Sequence, residues 1–272
     1  MIQDKAKVII IGGGVIGCSV AYHLSKLGWN DIVLLERKQL TSGTTWHAAG
    51  LIGQLRASAN MTKLAKYTQE LYFDLEKETA VSTGFKRVGS ISVALTNERM
   101  EELKRSAAMA RAFGVDVEEI SPHEIQNRYP HINLESVVGG VFLGKDGQGD
   151  PANIALALAK GARQLGAKIH ERVTITKVFK NQNKVSGVEW TDQHGERGHI
   201  ACEEIVNCAG MWGHSVGKML GTNIPLHACE HFYIVTEPIA ELTQLPVLRA
   251  VSYTHLRAHE TVLDLVCRLL LE

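Results

Sequence analysis

Two stretches in the first 50 residues hold residue types that could do chemistry. The loop TSGTTWHAAG, residues 41–50, sets one indole and one imidazole, Trp46 and His47, among small residues. A neutral imidazole nitrogen held against an electrophilic carbon is a nucleophile able to form a permanent bond. The plain alternative is a structural histidine beside a packing tryptophan. Upstream, VIIIGGGVIG spaces Gly12, Gly14 and Gly17 as GxGxxG. In that pattern Gly12 makes the tight turn, Gly14 lets backbone approach a pyrophosphate, and Gly17 lets the helix pack on the sheet. The amides of Val15 and Ile16 then donate at the positive end of the helix. Glu36 follows Gly17 by about 20 residues, the offset at which a carboxylate meets a ribose hydroxyl, and its charge argues against a 2′-phosphate. A lone GxGxxG is equally a ligand-free turn. The full strand, turn, helix, strand and acid together predict dinucleotide binding, without separating FAD from NAD.

These residues need elements to hold them. Residues 7–11 (KVIII) read as a buried strand, 14–27 as a helix and 31–35 (DIVLL) as a second buried strand, a βαβ unit. Residues 60–79 carry Leu64, Tyr67, Leu71 and Leu75 on a helical repeat, and 88–94 (VGSISVA) alternate like a half-buried strand. A helix over 96–113 ends at Gly114. Ser121-Pro122-His123-Glu124 opens a short helix with a capping box, and Asp150-Pro151 opens another that Gly166 closes. Strands are expected at 168–179, 185–191, 198–200 and 205–209, the last leading into Gly210, and again from Pro225 through HFYIVT. With no repeat and no low-complexity linker, two domains in this chain would be interleaved rather than strung in series.

The run HACEH offers His227, Cys229 and His231, residue types that bind metals. On a strand they share one face, but same-face neighbours lie about 6–7 Å apart and the end pair about 13 Å, too far for one ion. A helix would bring His227 and His231 together, yet the β-rich run disfavours it. No metal is expected.

The 272 residues are 45% apolar and 21% charged, with 29 Lys+Arg against 29 Asp+Glu. A soluble globular fold follows, with no basic stripe to bind nucleic acid. Cys18, Cys202, Cys208, Cys229 and Cys267 form no CxxC pair. That fits a reducing compartment, the cytoplasm or, in a eukaryote, the mitochondrial matrix. The apolar start is interrupted by glycines and carries Asp4 where a signal peptide is basic, and no stretch reaches the length of a membrane span.

LTSGTTWHAAGLIGQLR and the N-terminal fingerprint, with ARAFGVDVEEISPHEIQNRYP, DGQGDPANIALALAKGARQLGA and IVNCAGMWG, resemble the dimethylglycine and sarcosine dehydrogenase group of D-amino-acid-oxidase-type flavoproteins, over residues 5–249. The resemblance implies an α/β fold in which a Rossmann-like FAD-binding domain (5–85 and 146–222) is interleaved with an antiparallel-sheet α+β substrate domain (86–145 and 223–250), both truncated. It implies FAD carried covalently on His47 through the flavin 8α-methyl position. The backbone of Gly43, Thr44, Thr45, Trp46, Ala48, Ala49, Gly50 and Leu51 would then run along the flat ligand, with Arg37 beside it. Val173 would meet the adenine through its backbone, and Gly210 and Trp212 would lie next to the cofactor. His231 becomes the candidate catalytic group near the substrate amine or carboxylate, with Tyr233 on the same strand face.

The implied reaction is hydride transfer from the N-methyl carbon of a small methylated amino acid to the flavin. It leaves an iminium for water or, in a full-length protein only, tetrahydrofolate. The substrate nitrogen must be neutral for its lone pair to assist, so the protein orients, desolvates and manages one proton. Which methylated amine and which electron acceptor are used stay open.

Within the last 22 residues, VSYTHLRAHETVLDLVCRLLLE, the run SYTHLRAHET resembles a translated adapter tail found on unrelated proteins, and the family resemblance stops at Leu248-Arg249. A non-native tail is therefore expected from residue 251, and with it a chain that is inactive alone and poorly soluble or flavin-deficient. On periodicity alone the tail also fits a helix striped with Val262, Leu265, Val266, Leu269 and Leu270. Two other functions compete: a non-catalytic, flavoprotein-like regulatory subunit of the pyruvate dehydrogenase phosphatase type, and an NAD-dependent dehydrogenase.

Overall fold

The computed structural model describes residues 2–182, 184–230, 233, 235, 237 and 244–250. The chain runs through β1 (Lys5–Ile11), α1 (Val15–Lys26), β2 (Ile32–Glu36), β3 (Leu51–Ile52), α2 (Ala59–Thr79), β4 (Ser90–Ala94), α3 (Asn97–Ala112), β5 (Glu118–Ile120) and α4 (Pro122–Arg128). It continues through β6 (Gly139–Leu143), β7 (Gly147–Gln148), α5 (Pro151–Gln164), β8 (Lys168–Glu171), β9 (Val173–Asn181), β10 (Lys184–Asp192), β11 (Arg197–Asn207), α6 (Gly213–Met219) and β12 (Val247–Ala250). Its described residues divide into two compact units, one drawn from 1–50, 72–84 and 150–228 and one from 51–71, 85–149 and 229–272.

The first unit is built on a six-stranded sheet ordered β8-β2-β1-β11-β10-β9. β8, β2, β1 and β11 are parallel, and the near-continuous apolar runs of β1 and β2 reflect burial on both faces. On one face Ile9, Ile11, Val33 and Leu35 pack against Val173, Ile175, Val178, Val188 and Trp190 of the antiparallel β9-β10 arm. Val8, Ile10, Ile32 and Leu34, also buried, alternate onto the other face, which α1 and α5 cover. Those helices approach closely because Gly161 has no side chain. A Cβ there would lie 2.8 Å from the Tyr22 ring.

β11 belongs to both parts of this sheet. Its Arg197–Ala201 half pairs antiparallel with β10 and its Ala201–Asn207 half pairs parallel with β1. The change of partner falls at Ala201, which pairs with both Gly187 and Lys5; the sequence predicts two strands here, 198–200 and 205–209, because Glu203 and Glu204 interrupt the apolar run, and both are exposed. The single strand expected over 168–179 is instead β8 and β9, which form opposite edges of the sheet. The chain turns between them at Arg172, whose φ is +60°.

In the second unit β4, β6 and β5 form an antiparallel sheet, and β12 joins β4 in parallel. Ile91, Val93, Ile120 and Ile125 fill one cluster, and Leu103, Ala107 and Ala110 of α3 pack with Val141 and Leu143 in another. α4 starts on the expected capping box: Ser121 Oγ accepts the Glu124 N–H at 3.3 Å, and Glu124 Oε2 accepts the Ser121 N–H at 2.8 Å. β3 and β7 form a two-stranded ribbon.

The strand predicted from Pro225 is not formed over residues 225–230, which are exposed and irregular. Pro225 has no N–H for a ladder, and the polar HACE run presents no apolar face to a sheet. Tyr233 also lies outside any strand. His231, Cys267 and the expected tail from residue 251 lie outside the described residues. No helix among the described residues is long and apolar enough to cross a membrane.

Candidate functional site

The parallel strands of the first unit end around the glycine turn. Gly12 has a φ of +108°, and a Cβ on it would sit 2.5 Å from the Cys208 carbonyl oxygen. A Cβ on Gly17 would overlap the Gly12 carbonyl oxygen, so both glycines are dictated by backbone-to-backbone approach. Gly14 stands at the N-cap of α1 and brings no capping side chain. The Val15 N–H instead donates to Thr45 Oγ1 at 3.0 Å. Val15, which the sequence places among the phosphate donors, thus has its amide engaged by the Thr45 hydroxyl. Ile16 and Gly17 complete the first turn of the helix.

Glu36, at the end of β2, braces the turn. Its Oε2 accepts the Gly13 N–H at 2.6 Å and its Oε1 accepts the Lys38 N–H at 2.8 Å. Each carboxylate oxygen retains acceptor capacity for a hydroxyl. Facing it across one cleft are Val173 and Ile175 from β9 and Cys208, Ala209 and Gly210 from the loop after β11. Arg37, Gly43, Thr44, Thr45 and Trp212 line the same cleft, and the Arg37 guanidinium lies 4.0 Å from the centroid of the Trp212 ring.

Trp46 and His47 follow Thr45 in one 3-10 turn, Thr45–His47. Thr45 is buried, whereas both rings are exposed and stack with centroids 3.7 Å apart and planes at 35°. Trp46 is 54% exposed. Neither ring lines the cleft with Glu36; the lining of this loop stops at Thr45. Ala48 and Ala49 are exposed, Gly50 turns the chain with a φ of +79°, and Leu51 opens β3 in the other unit. Tyr233, 48% exposed, belongs to that other unit as well.

The sequence missed Ile175 and Cys208. Ile175 is the same-face neighbour of Val173, so the two-residue period of a strand points to it. The carbonyl of Cys208 packs on the turn, and burial raises its thiol pKa. Cys18, behind the turn, is pushed by burial to about 12. Among the described residues Cys18, Cys202, Cys208 and Cys229 are free thiols, and none joins a metal-binding cluster.

The arrangement fits an adenine dinucleotide on its own geometry. Glycines that tolerate no Cβ make the cradle, a helix N-terminus lies behind it, a braced carboxylate stands at the end of the second strand, and an apolar wall faces them.

The family model described as "DAO: FAD dependent oxidoreductase" matches residues 7–263. The chain is 43% identical over 236 residues to the mitochondrial pyruvate dehydrogenase phosphatase regulatory subunit of Mus musculus, covering 86% of this chain and 26% of that protein. It is 40% identical over 254 residues to the mitochondrial sarcosine dehydrogenase of Homo sapiens, covering 91% of this chain and 27% of that protein. It therefore spans about a quarter of the length of these relatives. The crystal structure of L-proline dehydrogenase from P. horikoshii shares the fold, with a TM-score of 0.79 at 24% identity over 92% of this chain and 65% of that one.

Proposed function

Because the chain belongs to the DAO family of FAD dependent oxidoreductases, we propose that it is part of an enzyme that oxidises the N-methyl C–N bond of a small methylated amino acid of the sarcosine or dimethylglycine type. FAD, when bound, supplies the hydride acceptor. The chain's own residues hold and orient it. Gly12, Gly14 and the start of α1 seat the diphosphate, Glu36 takes the ribose, and the backbone at Val173 meets the adenine. Gly210 and Trp212 flank it, and His47 is the point of covalent attachment. On this reading the first unit is the cofactor domain and the second the substrate domain. His231 and Tyr233 contribute polar groups to the substrate side, and the iminium product passes to water or, in a longer chain, to tetrahydrofolate.

The observation that supports this reading most directly is the Thr45 hydroxyl on the first amide of α1. It ties the turn bearing His47 to the helix that seats the phosphates. The relatives above are named as mitochondrial, so we place the protein in the matrix in a eukaryote and in the cytoplasm otherwise. The 43% identity to a phosphatase regulatory subunit favours a second reading, a flavoprotein-like regulator without turnover.

The test uses the intact protein. Anaerobic sarcosine or dimethylglycine should bleach its flavin absorbance, and a proteolytic peptide containing His47 should carry the flavin mass, lost in His47→Ala. A flavin inert to every N-methyl amine, in a protein that changes a phosphatase's activity, supports the regulator. A removable nicotinamide nucleotide and an unmodified His47 peptide overturn both.

A further inference from the structure

The loop that carries His47 is fastened to the glycine turn at two points. The Thr41 N–H donates to the Gly13 carbonyl at 2.9 Å, and Thr45 Oγ1 accepts the Val15 N–H at 3.0 Å. Inside the 3-10 turn the His47 N–H donates to the Thr44 carbonyl at 3.3 Å and the Ala48 N–H to the Thr45 carbonyl at 3.2 Å. The backbone at His47 is thus held, and the torsions left to set are those of the imidazole itself. On an exposed side chain these ordinarily sample several staggered wells.

Trp46 narrows that choice. Its ring stacks on the imidazole with centroids 3.7 Å apart and planes at 35°. The lone pair of a neutral imidazole nitrogen lies in the ring plane, so a stack restrains the ring by its face and leaves the attacking edge uncovered by the indole. With Trp46 54% exposed, exchanging its side chain removes the stack without opening a core cavity.

Building on the attachment at His47 proposed above, we propose that Trp46 is the positioning residue for it: the indole holds the imidazole in the orientation from which a ring nitrogen bonds the flavin 8α carbon. As that N–C bond forms, one C–H of the 8α-methyl group and the N–H of the other imidazole nitrogen break. The two electrons and two protons released pass to dioxygen and leave as hydrogen peroxide. Trp46 exchanges neither; it raises the share of time that the imidazole spends in the reactive geometry.

The experiment uses the intact protein, made without flavin in riboflavin-starved cells, mixed with FAD in air and quenched in acid at intervals. Linked flavin precipitates with the protein, and unlinked flavin stays in solution. Trp46→Leu should slow linkage about fivefold, the scale of one aromatic pair, with a larger share of the bound flavin released by acid. A merely structural role would lower bound and linked flavin in step and leave that share unmoved. Trp46→Phe, which keeps a ring, should fall between, and it serves where Trp46→Leu does not fold. Indole emission of the flavin-free protein reads the stack separately: His47→Ala should raise it in the parent and leave it unchanged in Trp46→Phe. Equal linkage rates in parent and Trp46→Leu, losses in step with total binding, or emission indifferent to His47→Ala overturn the role of Trp46 and leave the attachment standing. A parent whose His47 peptide carries no flavin overturns the attachment and the role of Trp46 with it.

Discussion

Thr45 Oγ1 accepts the N–H of Val15 at 3.0 Å, joining residues 30 apart in the chain. A helix that begins on glycine has no capping side chain of its own, and here a threonine from a distant turn supplies the oxygen that a Ser or Thr N-cap would supply. The start of α1 and the Trp46-His47 turn are thereby tied together within the first unit.

Thr45→Val keeps the shape of this buried side chain and removes its acceptor. The Val15 amide then loses its partner, at a cost of about 1–2 kcal/mol. Urea unfolding should show that loss, Thr45→Ser should recover most of it, and, on the proposed covalent attachment, the fraction of flavin linked to His47 should fall in Thr45→Val. A urea midpoint equal to that of the parent would remove the cap from this account.

Two glycines of the same βαβ unit should respond very differently to a methyl group. At Gly17 an added Cβ overlaps the Gly12 carbonyl, and neither backbone can yield without opening the turn. Gly17→Ala should cost about 3 kcal/mol or more and abolish ADP binding. Gly28, with a φ of +83°, has nothing within 4 Å of an added Cβ. Gly28→Ala should therefore cost only the left-handed backbone strain, about 1–2 kcal/mol, and leave ADP binding unchanged. Thermal unfolding and ADP titration of the two variants separate steric from conformational cost; equal losses would mean the turn is looser than described.

The contrast also marks what a sequence can disclose. Gly12 and Gly17 were legible because each meets one local mechanical demand, and the capping box at Ser121 was legible for the same reason. The split at Arg172 was not. Lys168 to Phe179 alternates well enough for one strand, and only the sheet order shows β8 and β9 at opposite edges. β11 reads as two strands because Glu203 and Glu204 interrupt its apolar run, whereas its change of partner from β10 to β1 falls at Ala201, and partners are a tertiary fact. The cap at Thr45 was equally out of reach, since nothing local links position 45 to position 15. Asp146 was passed over because DGQGDP reads as a turn, where an aspartate ordinarily meets water.

Asp146 is only 4% exposed. Its Oδ1 accepts the Gln54 N–H at 2.8 Å and its Oδ2 accepts the Ser90 hydroxyl at 2.7 Å. Burial pushes its carboxyl above the ordinary 3.8, while the hydrogen bonds from Ser90 and Gln54 and the charges of Arg249 and Arg56 pull it back. With the folded pKa above the unfolded one, the folded protein binds more protons between the two. The stability from this group is therefore complete below the unfolded value and is lost as pH rises through the folded one. Asp146→Asn carries no charge to bury, keeps an acceptor for the Gln54 amide and can donate to the Ser90 oxygen. Urea midpoints of parent and variant, taken from about pH 4 to pH 7, should thus diverge in one direction, with Asp146→Asn gaining on the parent as pH rises. A difference that stays flat, or that moves toward the parent, would show that Arg56 and Arg249 outweigh the desolvation and that the buried carboxylate stabilises the second unit as an ion.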